Sequence, residues 1–150
     1  MFARDAMLST PLVVQPATSL LEFIHAVLNC NQTTAVVVDD GKVVGIVSAK
    51  DVFQRILPHY IDLDAKLAQV MHPSYFEEQF AVFAQTSVGD VMTTEVDCAA
   101  PDDPIIHIVA MFVQRRRKTV PIVADGRYLG SVTRRSVLWT VTRNTPQPRT

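Results

Sequence analysis

Two short phrases hold the residues best placed for chemistry. Gly45 to Val52 reads GIVSAKDV, and Gly130 to Val137 reads GSVTRRSV. In the first, Ser48 stands three residues before Asp51; in the second, Thr133 stands three before Ser136. A hydroxyl followed at that spacing by a carboxylate is a helix-capping box, with Asp in place of the usual Glu. The helix start it marks also favours a bound anion. Cations that could meet such an anion lie in Arg115, Arg116, Arg117 and Lys118, and in Arg134 and Arg135. A guanidinium fork can take a phosphate through two parallel hydrogen bonds. RRRK can equally be the solvated end of a helix, complementing its dipole.

Charge is divided unevenly. Residues 1–85 carry 5 basic and 9 acidic side chains, and residues 86–150 carry 9 basic and 6 acidic, so net charges of −4 and +3 sum to −1. That total makes no case for nucleic acid or an anionic membrane as a partner, and places any anion binding in the second half. Other chemistry is not signalled. Cys30 and Cys98 have neither CxxC spacing nor a histidine cluster, and read as two reduced, buried thiols. His25, His59, His72 and His107 share no metal-ligand spacing and read as structural. No GxSxG, P-loop or glycine-rich dinucleotide phrase is present, so neither catalysis nor a required cofactor is expected.

The elements that must position these residues are written twice. Sliding the chain by 85 residues aligns its halves without a gap: Asp5 and Met7 fall on Asp90 and Met92, Pro16 on Pro101, Thr34 on Thr119, and Gly45, Val47 and Val52 on Gly130, Val132 and Val137. Each copy begins with an extended piece, LVVQP or VDCAAP, followed by an amphipathic helix. Ser19 with Glu22 marks the first helix start, and Asp103 as N-cap before Pro104 marks the second. Leu20, Ile24, Val27 and Leu28 share one helical face, as do Ile105, Ile108, Val109 and Phe112. TAVVVDD or TVPIVAD, then KVVGIVS or RYLGSVT, read as strands joined at Asp40-Gly41 or Asp125-Gly126, a strong hairpin signal. A second helix follows, capped by Ser48 or Thr133.

The expected fold class is therefore α/β (α+β), with tandem β-α-β-β-α repeats about a pseudo-twofold axis. The organisation is a first motif at 1–58, a helical linker at 59–85, a second motif at 86–142 and a flexible polar tail at 143–150, the two motifs forming one globular unit. Within the linker, Leu63, Leu67, Val70, Met71, Phe76, Phe80 and Phe83 have helical spacing interrupted by Pro73, so one or two packing helices are expected. The N-terminus has no cationic lead before an apolar run, and Ile105 to Val113 is too short to cross a bilayer, which reads as a cytoplasmic, soluble chain.

The duplicated pattern, with DAM or DVM before the first strand and a strand-ending G-h-h-[ST]-x-x-[DN] phrase, resembles a CBS domain pair, or Bateman module, here free-standing. The resemblance covers roughly residues 3–57 and 86–142. It implies a single α/β unit, a homodimer, and clefts between the copies that bind AMP above all, or ADP, ATP or another adenosyl compound, to regulate a partner protein. It further implies that Asp51 accepts hydrogen bonds from the ribose hydroxyls, a task suited to an acceptor-only carboxylate, and that Ser48 lies near ribose or phosphate. Capping and ligand contact are compatible roles for both.

Leu12, Val13, Thr34, Ala35 and Val36 match the family's adenine positions, as do Thr119, Val120 and Pro121 in the second copy. Val36 departs from the family's proline; Pro121 keeps it. Lys50, Lys118, Thr133, Arg134 and Arg135 complete the expected ligand site, with the arginines taking a phosphate from a ribose bound at Asp51. Ser136 replaces the second aspartate, a loss of roughly 1.5–3 kcal/mol from a ribose site. One working cleft and one weak one are expected. The alternative is a structural interaction module with vestigial clefts.

Overall fold

The computed structural model describes residues 1–57 and 65–146, and the repeat is visible in its first-order architecture. In the first copy, β1 (Val13–Val14) runs parallel to β2 (Thr34–Asp39), which pairs antiparallel with β3 (Lys42–Ser48). In the second copy, β4 (Thr119–Ala124) pairs antiparallel with β5 (Arg127–Thr133), and a single parallel bridge joins Ala99 to Ile122 where the counterpart of β1 would lie. Both hairpins turn on residues with positive φ at both central positions: Asp40 at 49° and Gly41 at 76°, Asp125 at 53° and Gly126 at 77°. That is the type I′ requirement that an Asp-Gly pair meets at least cost. Both also shift register at one repeat-equivalent point, between Val37 and Val38 and between Ile122 and Val123.

Helices α1 (Leu20–Leu28) and α2 (Ala49–Ile56) belong to the first copy, α4 (Ile105–Gln114) and α5 (Arg134–Asn144) to the second. Helix α3 (Tyr75–Phe83) lies between them, after a short 3-10 helix over Ala65–Val70 and a turn around Pro73. The α1 capping box is formed as expected: Glu22 N–H donates to Ser19 Oγ at 3.1 Å, and Ser19 N–H to Glu22 Oε2 at 3.4 Å. Asp103 acts one turn earlier than expected, its Oδ2 accepting the Ala100 amide at 2.8 Å, so Pro104 rather than Asp103 precedes α4. Arg143 and Asn144 continue α5, where the sequence reads as the start of a loose tail.

The buried faces differ from the expected ones in detail. Leu20, Ile108 and Phe112 are buried, but Leu28 is 74% exposed, and Phe23, five residues earlier, is fully buried in the core instead. Burying a side chain of that size contributes about 1.5–3 kcal/mol. Phe80 and Phe83 pack on the first copy's core, whereas Phe76 stays largely outside, ring to ring with Phe53 and Phe80. Leu63 and His59 lie outside the described residues. Cys30 and Cys98 are both exposed rather than buried: Cys30 follows the C-terminal end of α1, and Cys98 precedes the buried Ala99 at a strand edge. His25, His72 and His107 are exposed.

The copies are tied together by exchanged segments. Ala3 and Ala6, on an N-terminal 3-10 turn, are buried in the second copy's core, while Val88, on the equivalent turn at Val88–Asp90, is buried in the first copy's. Each following segment then crosses to the other copy's last strand: Leu8 N–H donates to the Ser131 carbonyl at 2.9 Å, and Thr93 and Ile46 exchange two backbone hydrogen bonds at 2.8 and 2.9 Å. This exchange sets the two helix starts, at Ser48 and Thr133, beside residues contributed by the opposite copy.

Candidate functional site

Two clefts result, related by the same shift of 85 residues as the sequence repeat. The first encloses about 390 Å³. Ser48, Lys50 and Asp51 line it from the start of α2, and Arg116, Arg117 and Lys118 line it from the end of α4. The segment Thr93 to Asp97 closes a further side, with Thr34 and Thr119 between.

Asp51 is anchored by one oxygen. Its Oδ2 accepts the Ser48 amide at 2.8 Å and the Ser48 hydroxyl at 3.2 Å, while Oδ1 has no hydrogen-bond partner among the described residues. The capping role thus leaves an acceptor available in the cleft, as the compatibility of the two roles requires. Opposite, Asp97 holds two guanidinium groups: Arg115 Nη1 donates to Oδ1 at 2.7 Å and Arg117 Nε to Oδ2 at 2.8 Å. The hydrogen bond from Arg117 is the main reason that the Asp97 carboxyl titrates below its usual range. Arg116, between them, has φ 54°, a left-handed turn that lets the Arg117 amide reach back to the Met111 carbonyl at 3.3 Å. RRRK is therefore a structured wall of this cleft; Arg115 stays 65% exposed at its rim.

The second cleft encloses about 600 Å³ and is lined by Thr133, Arg134 and Arg135 from the start of α5, facing Asn31, Gln32 and Thr33 after α1. Gln32 is oriented by two bonds, accepting the Leu12 amide at 3.1 Å and donating to the Thr10 carbonyl at 3.0 Å. Thr34, Lys118 and Thr119 line both clefts and so form their common wall. Ser136 does not line this cleft. It is 7% exposed, its Oγ accepts the Thr133 amide at 2.9 Å and donates to the Thr133 carbonyl at 3.0 Å, and the Ser136 amide donates to Thr133 Oγ1 at 3.1 Å. The hydroxyl is spent on capping.

Of the residues singled out in the sequence, Thr34, Ser48, Lys50, Asp51, Lys118 and Thr119 meet in the first cleft. Arg134 and Arg135 are elsewhere than expected: they line the cleft at Thr133, not the one at Asp51, because each helix start faces the α1 or α4 end of the opposite copy. Arg116 and Arg117 take the place expected for them. Ala35, Val36, Val120 and Pro121 are buried within the hairpins, and Leu12 and Val13 lie along β1, so none of these six side chains lines either cleft. Asp97 and Glu95 were missed by motif. Applying the repeat to Leu12 leads directly to Asp97, which was the available signal.

Among the described residues no group of three or more metal-ligating side chains is assembled, and no helix is long and apolar enough to cross a membrane. A family model described as the CBS domain matches residues 3–58 and 88–142. The chain is 31% identical over 147 residues to the uncharacterized protein MJ1426 of Methanocaldococcus jannaschii, covering 89% of this chain and 87% of that one. It is similar in structure to CBSX2, solved in complex with AMP, with TM-score 0.71, 21% identity, and 95% and 97% of the two chains covered. It is also similar to the CBS domain pair of protein MJ0100, solved with 5′-methylthioadenosine and S-adenosyl-L-methionine, with TM-score 0.69, 21% identity, and 97% and 98% covered.

Proposed function

The chain belongs to the CBS domain family, with two CBS motifs, and from that premise we propose that it is a regulatory module that binds an adenosyl ligand in the cleft at Asp51 and signals to a partner protein. AMP is the first choice, ahead of ADP, ATP or S-adenosylmethionine. The observation that carries this reading is the pairing of functions across one cleft: Asp51, with an unused carboxylate oxygen at a helix start, faces Arg116, Arg117 and Lys118. A ribose has its acceptor and a phosphate has its cations, separated by the width of the cleft. The ligands carried by CBSX2 and by MJ0100 support the adenosyl class. In this reading residues 1–58 and 86–142 act as one unit, as a homodimer, without catalysing a reaction.

The experiment is calorimetric titration of nucleotide-free protein with AMP, ATP and S-adenosylmethionine, alongside Asp51→Ala. Saturation near one site per chain that disappears in the variant supports the reading. Silence with all three ligands overturns it and favours a structural interaction module, for which the exposed Phe76 and Val82 on α3 offer a surface.

A further inference from the structure

The cleft at Thr133 differs from its twin in charge as well as in lacking a ribose carboxylate. The cleft at Asp51 sets four cations, Lys50, Arg116, Arg117 and Lys118, against three carboxylates, Asp51, Glu95 and Asp97. The cleft at Thr133 sets Lys118, Arg134 and Arg135 against none. Those three cations make no ion pair or hydrogen bond among the described residues, whereas Arg117 is held by Asp97. Three like charges in one concavity repel one another unless an anion joins them, and all three side chains are exposed where an anion can reach them.

A second observation concerns the common wall. Thr34 and Thr119 are 8% and 6% exposed, and their hydroxyls have no hydrogen-bond partner among the described residues. These hydroxyls open to the clefts rather than being buried, and can donate to an acceptor that enters. The start of α5, an 11-residue helix, adds its positive end from the same side as Arg134 and Arg135.

We propose that the cleft at Thr133 is an oligophosphate site that works without a ribose, using Lys118, Arg134 and Arg135 as its cations. Its ligand is a chain of two or three phosphates, either free or as the tail of a nucleotide. The divergence of Ser136 then marks a change of ligand: the position keeps its capping role at α5 but has lost the second, unengaged oxygen of a carboxylate, and the cleft's cations face no carboxylate in its lining.

The test is titration with inorganic tripolyphosphate, with ATP and AMP as parallel arms, on four proteins: the unaltered chain, Asp51→Ala, Arg134→Gln/Arg135→Gln and Lys118→Gln. Tripolyphosphate is expected to saturate near one site per chain, to persist in Asp51→Ala, and to weaken by about tenfold or more in the double arginine variant. AMP is expected to show the reverse dependence, lost in Asp51→Ala and kept when Arg134 and Arg135 are replaced. ATP binding that persists in Asp51→Ala and is lost with the arginines would identify a nucleotide tail as a source of the phosphates. Both arginines are exposed, and an unchanged unliganded melting temperature checks the fold; Lys118→Gln provides an independent loss of one cation. No saturable tripolyphosphate binding, or binding indifferent to Arg134, Arg135 and Lys118, overturns the proposal. An AMP response that fails alone sinks only the nucleoside reading.

Discussion

Arg117 Nε lies 2.8 Å from Asp97 Oδ2, on the wall that faces Asp51 across the first cleft, and Arg115 takes the other oxygen of the same carboxylate at 2.7 Å. Among the described residues Lys50, Arg116 and Lys118 have no ion-pair partner in this cleft, so a phosphate bound as proposed would meet them uncontested but would compete with Asp97 for Arg117. Under the proposed function, Asp97 is the residue expected to set the preference of the cleft between anionic and uncharged or cationic adenosyl ligands.

Asp97→Asn is expected to tighten AMP and ATP by about threefold to tenfold and to weaken S-adenosylmethionine, whose sulfonium loses a nearby carboxylate. Calorimetry on the three ligands checks this. Equal effects on all three would show that Asp97 positions the wall without selecting charge.

The same ion pair links stability to pH. Asp97 has a folded pKa below its ordinary value of 3.8, held there first by the hydrogen bond from Arg117. Its contribution is therefore present above the unfolded pKa and lost as pH falls through the folded one. The urea midpoint should fall further on acidification in the unaltered chain than in Asp97→Asn. Parallel curves would show that the bond contributes nothing.

Asp51→Ala is expected to reduce nucleoside binding by roughly ten- to a hundredfold, the worth of a charged acceptor on a ribose. It should also cost about 1 kcal/mol of stability, because the Ser48 amide loses its capping acceptor. Asp51→Asn separates the two effects, since its side-chain carbonyl can still cap. Binding restored by Asn would mean that charge is not what the ribose reads.

A methyl group at Gly45 would stand 2.5 Å from Met92 Sδ and 3.0 Å from the Thr93 carbonyl oxygen, whereas at Gly130 the nearest atom is the mobile end of Met7. Gly45→Ala is expected to cost about 1–3 kcal/mol, as overpacking against backbone does, and Gly130→Ala less. Denaturant unfolding of both variants measures the difference. A larger cost at Gly130 would contradict the packing asymmetry.

Ser136→Asp should return a ribose acceptor to the second copy and raise AMP stoichiometry from one toward two per chain. It keeps an acceptor for the Thr133 amide and gives up the donor to the Thr133 carbonyl, at about 1 kcal/mol. A stoichiometry that stays at one would show that the carboxylate alone does not make the site.

Much of this molecule was legible without coordinates. The gapless repeat marked both hairpins and the paired helix starts, because Asp-Gly turns, hydroxyl caps and apolar periodicity act within a few residues of themselves. The capping positions of Asp51 and Ser136, three residues past Ser48 and Thr133, were readable on the same ground. The burial of Phe23 in place of Leu28 was not, since helical spacing marks an apolar face without saying which edge of it meets the sheet.

Which residues share a cleft was decided only in three dimensions. Arg134 and Arg135 fall on Ala49 and Lys50 when the repeat is applied, yet they face the other cleft from Asp51. Asp97 finds Arg115 and Arg117 from 18 and 20 residues away. Ala3 and Val88 pack in each other's half of the molecule. The linear order of residues specifies each copy from local preferences; the pseudo-twofold packing, in which every opening segment crosses to the opposite copy, determines who meets across the gap and so where charge is paired and where it is left free.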